Sequence, residues 1–340
     1  QKGLLAKINR DDALLEKSRL PLLERAKFLA IFSNNLDEFY MVRVASVHEK
    51  MKLGLPTNRP DGVQPGPLLL EIRERVLDMV QQQRLTMRDI FAQLEQHDIR
   101  MADLNELDAG QRAALRAYFQ EEVFPVLTPL AVDHARPFPF ISNLSLNLVV
   151  WLKRDQKSNH QDEFVRLKVP DVLPRLVDLG MVLRNYSDDN SVRDTFVWLE
   201  DVIAQNLDTL FPGMKVVEQY PFRVTRNADI DYEQEEDEVG DMSSLIEESV
   251  RERKFGSVVR LSVPDNISER TLQQLIRQLQ VDPERDVYLI DGALGASSLF
   301  EMSSIDHPEL KFPAFIPSLP DIFLDKDLFT SMRHGDMLLR

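Results

Sequence analysis

The 340-residue sequence contains no cysteine, which excludes disulfides, thiol nucleophiles and cysteine-bound metals. It lacks any run near the roughly 18 consecutive apolar residues that a membrane span needs. Neither a GxxxxGK[ST] loop nor a GxGxxG turn occurs, so a nucleotide is not held here in the manner of a P-loop or a Rossmann turn. No glycine-flanked serine elbow is present either. The histidines, at 48, 97, 134, 160, 307 and 334, are scattered, and none forms a metal-ligand pair at helical spacing. Positive charge is in deficit, with 41 Lys+Arg against 56 Asp+Glu and a net charge of −15. That balance disfavours the phosphate backbones of nucleic acid, while a local basic cleft could still attract a smaller anion. Residues 1–10 carry no apolar signal-peptide core, so a cytoplasmic chain is expected.

What is present is ordinary globular material, 43% hydrophobic and 29% charged, over a length that suits two or three domains. Residues 12–120 read as helical. Apolar residues recur at three- and four-residue spacings over 22–51, with Pro21 at a first-turn position. A Pro- and Gly-dense loop follows at 53–67. A second helix is expected over 68–97, with Ile72, Val76, Met79, Val80 and Leu85 inward, and a third ends near 122. Three such helices suggest a small antiparallel bundle.

The texture changes at Val123. Prolines stand at 125, 129, 137 and 139, ahead of an alternating apolar stretch at 144–152 that signals a strand. Further strands are expected at 164–169, 195–199, 215–217, 222–225, 258–263 and 287–289, and helices at 199–210, 243–253 and 268–278. The expected fold is therefore multidomain α and α+β. An N-terminal antiparallel helical bundle (1–122) precedes a mixed α/β middle domain (123–316), and a proline-punctuated linker (317–340) leads onward.

Two places carry candidate chemistry. On a helical wheel Asn35 shares a side with Phe28, Ile31, Phe32, Phe39 and Val42. It follows Asn34, and adjacent asparagines in mid-helix breach propensity. An amide offers one acceptor and two donors, which suits either an adenine edge or a buried backbone group. The residues alone leave both open. Asp37 and Glu38 read as a solvated or arginine-paired face. Arg43 is too far along the helix to pair with Asp37 and reads as a bundle or interface ion pair. The second place is basic: Arg223 and Thr225 alternate on one strand face, Arg226 ends that strand, and Arg251, Arg253, Lys254 and Arg260 follow. Arginine forks suit phosphate oxygens, so these side chains either guide phosphate or pair with the acidic run at 229–241.

Several blocks, in order, resemble the bacterial type-1 polyphosphate kinases. They are FLAIFSNNLDEFYMVRVASV (28–47), FPVLTPLAVD (124–133), PFPFISNLSLNL (137–148), LFPGM (210–214), FRVTRNADI (222–230) and KFGSVVRL (254–261), with FTSMRHGDMLLR (329–340) similar to the lead-in to the family's first catalytic domain. The family's opening stretch, of the form ELSWLxFNxRVL, is matched here only by a shorter segment around residues 8–15. The resemblance implies reversible transfer of the ATP terminal phosphate to a growing inorganic polyphosphate chain through a phosphohistidine. It implies ATP/ADP as substrate and Mg²⁺ as metal, with ATP contacted by the second asparagine of SNNLDEF, which is Asn35. The family's catalytic histidines and metal ligands belong to C-terminal domains beyond these 340 residues, so no catalytic or metal residue is assigned and the chain alone is expected to be inactive. The resemblance further implies a cytoplasmic homodimer or higher homo-oligomer with contact surface in 123–316, with peripheral membrane association as an option and no nucleic-acid partner. The alternative is a non-catalytic polyphosphate-binding or dimerisation module.

Overall fold

A computed structural model describes residues 20–57, 61–132, 138–154, 162–187, 189, 192–228, 256–313, 329–330 and 333. Pro21, in an extended conformation, starts helix α1 (Leu22–Glu38). The helix runs on without a break through a π-helical turn (Phe39–Val44) into α2 (Ala45–Lys52). Helix α3 (Pro65–Glu95) opens on Pro65 at its first turn, where the missing N–H is no loss. It packs against both α1 and α2.

The third helix behaves differently from a bundle member. A two-residue strand β1 (Arg100–Met101) comes first. Helix α4 (Ala109–Tyr118) is then set by a reciprocal capping box between Asp108 and Gln111. Its packing partner is helix α5 (Leu179–Ser187), far along the chain.

The remaining strands form two sheets. β5 (Leu176–Asp178) and β6 (Thr195–Trp198) join β1 in a three-stranded sheet of order β1-β6-β5. The larger sheet has the order β2-β4-β3-β7-β8-β9. Its strands are β2 (Pro129–Val132), β3 (Leu146–Arg154), β4 (Glu163–Lys168), β7 (Met214–Arg226), β8 (Val258–Pro264) and β9 (Val287–Ile290). Neighbours are antiparallel except β8 and β9. That parallel pair needs a crossover, which is supplied by helix α8 (Glu269–Leu279), capped by the Ser268 side chain. Two short helices, α6 (Leu199–Gln205) and α7 (Leu207–Leu210), occupy the stretch expected as one helix. The helix expected at 243–253 lies outside the described residues.

Two further expectations are corrected. The strands expected at 215–217 and 222–225 are one strand, β7, continuous through Pro221. The sequence split them because proline removes a ladder donor. Among the described residues, however, β8 pairs only with Arg223–Arg226, so β7 has no partner there on that side at Pro221, and Pro221 simply lies opposite Leu148 of β3. Leu85, expected inward on α3, is exposed; Val76, Met79, Val80, Met87 and Ile90 carry the buried stripe.

The large sheet is covered on both faces, as its period-two alternation requires. Val149, Trp151, Phe164, Phe222, Val224, Leu261 and Val263 pack beneath α8 with Leu275 and Leu279. Leu148, Val150, Leu152, Val165, Leu167, Tyr288 and Ile290 join α1, α3 and the 3₁₀ segment Ala296–Ser304 in a second core. Phe32 of α1 is fully buried in that core. Phe32→Ala is expected to lower unfolding free energy by about 3–5 kcal/mol, read from urea denaturation. A loss under about 1 kcal/mol would contradict this placement of the helix.

Candidate functional site

Helix α1 buries Leu29, Ala30, Phe32, Ser33, Leu36 and Asp37, and the helix continues that stripe with Tyr40 and Val44. Asn34 and Asn35 are exposed, while Phe28, Ile31, Phe39 and Val42 are only half-buried. The wheel expectation that put Asn35 within the apolar stripe is therefore corrected. Leu29, Ala30, Phe32 and Leu36 mark the inner face, whereas Phe28 and Phe39 flank it, and Asn35 sits toward solvent. Glu38 and Arg43 are exposed as well.

Asp37 has the opposite environment. It is buried, and Arg223 of β7 grips it with both terminal nitrogens, Nη1 to Oδ1 at 2.8 Å and Nη2 to Oδ2 at 2.7 Å. This bidentate geometry is the strongest an arginine–carboxylate pair adopts. The alternation of β7 makes the contact possible, because Phe222 and Val224 face α8 while Arg223 and Thr225 face the helices. Gly295 lets the side chain pass: its φ is +70°, and a Cβ there would lie 3.0 Å from Arg223 Nε.

A second arginine adjoins the pair. Arg260 of β8 stands in register with Thr225 and reaches Asp37 at 3.9 Å. Its guanidinium lies 5.0 Å from the ring centre of Tyr40 and 5.1 Å from that of Tyr288, within cation–π range. The two rings meet edge-on, and the Tyr40 hydroxyl donates to that of Tyr288 at 2.5 Å. Burial, reinforced by the neighbouring phenol, raises the Tyr40 pKa well above its ordinary value, so Tyr40 is neutral at physiological pH.

Opposite, α3 contributes Gln83 and Arg84. The Gln83 amide donates to the Leu29 carbonyl at 2.9 Å and to Ser33 Oγ at 2.8 Å. Arg84 is buried, and among the described residues its guanidinium reaches the Met87 sulfur, at 3.9 Å. Burial, with Arg175 and Arg260 adding their charge, lowers its pKa to about 10, and it remains a cation at neutral pH. The Nε atoms of both Arg84 and Arg260 are buried without a hydrogen-bond partner, an arrangement that ordinarily costs about 1–3 kcal/mol per group. These side chains line a cleft with Ser33, Asp37, Arg223 and Ser262, its apolar walls including Leu36, Val80 and Ile290. The enclosed space among these side chains is small, about 20 Å³.

Arg226 is held by the fold. Its Nε donates to the Ile141 carbonyl at 2.7 Å and its Nη1 to the Gly256 carbonyl at 2.8 Å, and it lies 4.4 Å over Phe140. Gly256, at φ +70°, permits the close approach, since a Cβ there would fall 2.1 Å from the Asn227 carbonyl oxygen. Arg251, Arg253 and Lys254, and the acidic run at 229–241, lie outside the described residues. Arg223 and Arg226, expected together, thus face different partners on different sides of the strand. Ser33, Gln83, Arg84 and the role of Arg260 were missed. A signal existed: Gln83 and Arg84 interrupt the apolar stripe of α3 between Val80 and Met87, as Ser33 and Asp37 interrupt that of α1. Among the described residues no group of three or more histidine, aspartate and glutamate side chains is arranged to hold a metal, and no helix is long and apolar enough to cross a membrane.

Two family models match the chain in order. The family described as polyphosphate kinase N-terminal domain matches residues 13–102, and polyphosphate kinase middle domain matches 110–302. Polyphosphate kinase 1 of Chlorobaculum tepidum is 42% identical over 329 residues, covering 96% of this chain and 46% of its own. Polyphosphate kinase of Mycolicibacterium gilvum is 43% identical over 333 residues, covering 96% of this chain and 44% of its own. The chain thus spans about half the length of these relatives. The crystal structure of polyphosphate kinase from Porphyromonas gingivalis superposes with a TM-score of 0.70 at 26% identity, covering 93% of this chain and 42% of that one.

The carbonyl contacts of Arg226 make a clear expectation. Arg226→Met removes two charge-assisted hydrogen bonds and is expected to lower unfolding free energy by about 1–3 kcal/mol, measured in urea. An unchanged midpoint would mean that the fold does not need this side chain and would free it for phosphate.

Proposed function

The chain belongs to the polyphosphate kinase family, and from that membership we propose that it supplies the helical and middle parts of an enzyme that transfers the ATP terminal phosphate, reversibly, to a growing inorganic polyphosphate chain. The observation that carries this reading is the ordered match to both family domains, combined with an asparagine pair displayed on the surface of α1. The reading divides the chain near residue 122. It gives Asn35 the role of nucleotide contact, its exposed side chain on helix α1 offering the acceptor and two donors that suit a base edge. Phosphate guidance by Arg223 is limited by its commitment to Asp37, and Arg226 is limited by its carbonyl partners. Arg251, Arg253 and Lys254 keep their proposed place along a phosphate path.

The phosphohistidine and the Mg²⁺ of this chemistry belong, on the same reading, to segments beyond these residues, so the chain alone is inactive. Among the described residues no three or more histidine, aspartate and glutamate side chains come together where Mg²⁺ could be held. The assembly is a cytoplasmic homodimer or higher homo-oligomer, with peripheral membrane association an option. Exposed Phe124, Val126 and Leu130, on and just before the edge strand β2, are suited to its contact surface.

Asn35→Ala, made in the complete enzyme, tests the nucleotide role. Its exposure means that truncation should leave the melting temperature essentially unchanged, within about 0.5 kcal/mol of stability. Loss of its hydrogen bonds to ATP should raise the KM for ATP roughly 5- to 150-fold, the equivalent of about 1–3 kcal/mol. An unchanged KM for ATP would remove Asn35 from the nucleotide site.

A further inference from the structure

The charges lining the cleft between α1, α3, β7 and β8 do not balance. Arg84, Arg223 and Arg260 face one carboxylate, Asp37, and Arg223 occupies both oxygens of that carboxylate. Asp291, whose charge reaches Arg84, is itself exposed and ion-paired with Arg88. Glu200 is held by Arg175. Among the described residues, two cations therefore remain in excess at a buried position of a protein whose net charge is −15.

Those two cations are also short of acceptors. Arg84 and Arg260 are each more than nine-tenths buried, and neither Nε has a hydrogen-bond partner. The Arg260 guanidinium lies against two aromatic rings and, at 3.9 Å, an oxygen of the occupied Asp37. Arg84 is neighboured by a thioether. A guanidinium is a planar set of five donors with no acceptor, and two of them facing one cleft with unmet donors are complementary to an oxyanion. Hydroxyls of Ser33 and Ser262 lie on the same lining.

We propose that this cleft is a binding site for a phosphate-class oxyanion, held by Arg84 of α3 and Arg260 of β8. Arg223 does not serve as its ligand; by neutralising Asp37 it keeps the carboxylate from competing for the two other arginines. The site joins the helical part to the sheet, so a bound anion would tie α3 to β8 across the cleft. Its preference for phosphate over other oxyanions rests on the family reading above, whereas the unbalanced charge does not. The same chemistry suits free phosphate or one residue of a polyphosphate chain.

Isothermal titration calorimetry of the 340-residue chain at fixed ionic strength, with inorganic phosphate and separately with long-chain polyphosphate, tests the site. Saturable one-to-one binding of phosphate is expected, weakened at least tenfold in Arg84→Met and in Arg260→Met. Arg88→Met, which removes an exposed cation outside the lining, should leave the affinity unchanged. Arg84→Met removes a buried, under-bonded charge, so its melting temperature without ligand should hold or rise, which separates lost binding from lost folding. Polyphosphate that displaces bound phosphate identifies a chain-binding site, and polyphosphate that does not identifies a site for the free ion. Absence of saturable phosphate binding, or equal affinity in the wild type and Arg84→Met, would overturn the proposal. Neither ATP nor turnover enters this measurement, so its failure would leave the nucleotide role of Asn35 standing, and the reverse also holds.

Discussion

The geometry of this protein depends on one buried ion pair, Asp37 with Arg223, that joins the first helix to the central strand of the large sheet. Replacing such a pair by matched apolar groups can cost little, but removing one partner leaves a bare charge in the interior and is expensive. The pair therefore acts as a constraint on arrangement more than as a source of stability. With Asp37 fixed against β7, the rotation of α1 is set. Leu29, Phe32 and Leu36 then point into the core, Asn34 and Asn35 point out, and one turn later Tyr40 meets Tyr288. The π-helical turn that follows leaves the Met41 carbonyl available, and it accepts the Ala228 amide at 3.0 Å, a second link between the helix and the end of β7.

The same constraint explains how an acidic protein keeps a cationic interior. Arg223 and Arg260 project from adjacent strands on one face because their register partners, Ser262 and Thr225, share that face. Asp37 neutralises one of the two. The other is stabilised by the electron-rich faces of two tyrosines kept neutral by burial. Arg84 enters from the opposite side on α3. Among the described residues the narrow cleft thus carries a net positive charge, while the chain as a whole is acidic.

Much of this was legible in the sequence, and what was not has physical causes. The long helices and most strands of the large sheet follow from apolar periodicity and proline placement. β5 and α5 went unassigned because three residues of strand and a nine-residue helix carry too short a pattern. β7 was split at a proline whose position on an open strand edge only the tertiary pairing reveals. Asn35 was placed on the wrong flank because large aromatic residues outweighed the leucines and alanines that line the core. The pairing of Asp37 could not be read locally, since its partner lies 186 residues away. The polar residues interrupting two apolar helix stripes, Ser33 and Asp37 on one and Gln83 and Arg84 on the other, were the available clue to the cleft.

A double-mutant cycle on Asp37 and Arg223 tests the organising role of the ion pair most directly. Urea denaturation of Asp37→Ala, Arg223→Ala and the double variant would give the coupling free energy. The account predicts that Asp37→Ala alone loses about 3–5 kcal/mol, and that the double variant is more stable than the sum of the singles requires by at least about 2 kcal/mol. Additive losses, with a coupling below about 0.5 kcal/mol, would mean that the helix is held by apolar packing alone and would contradict the account.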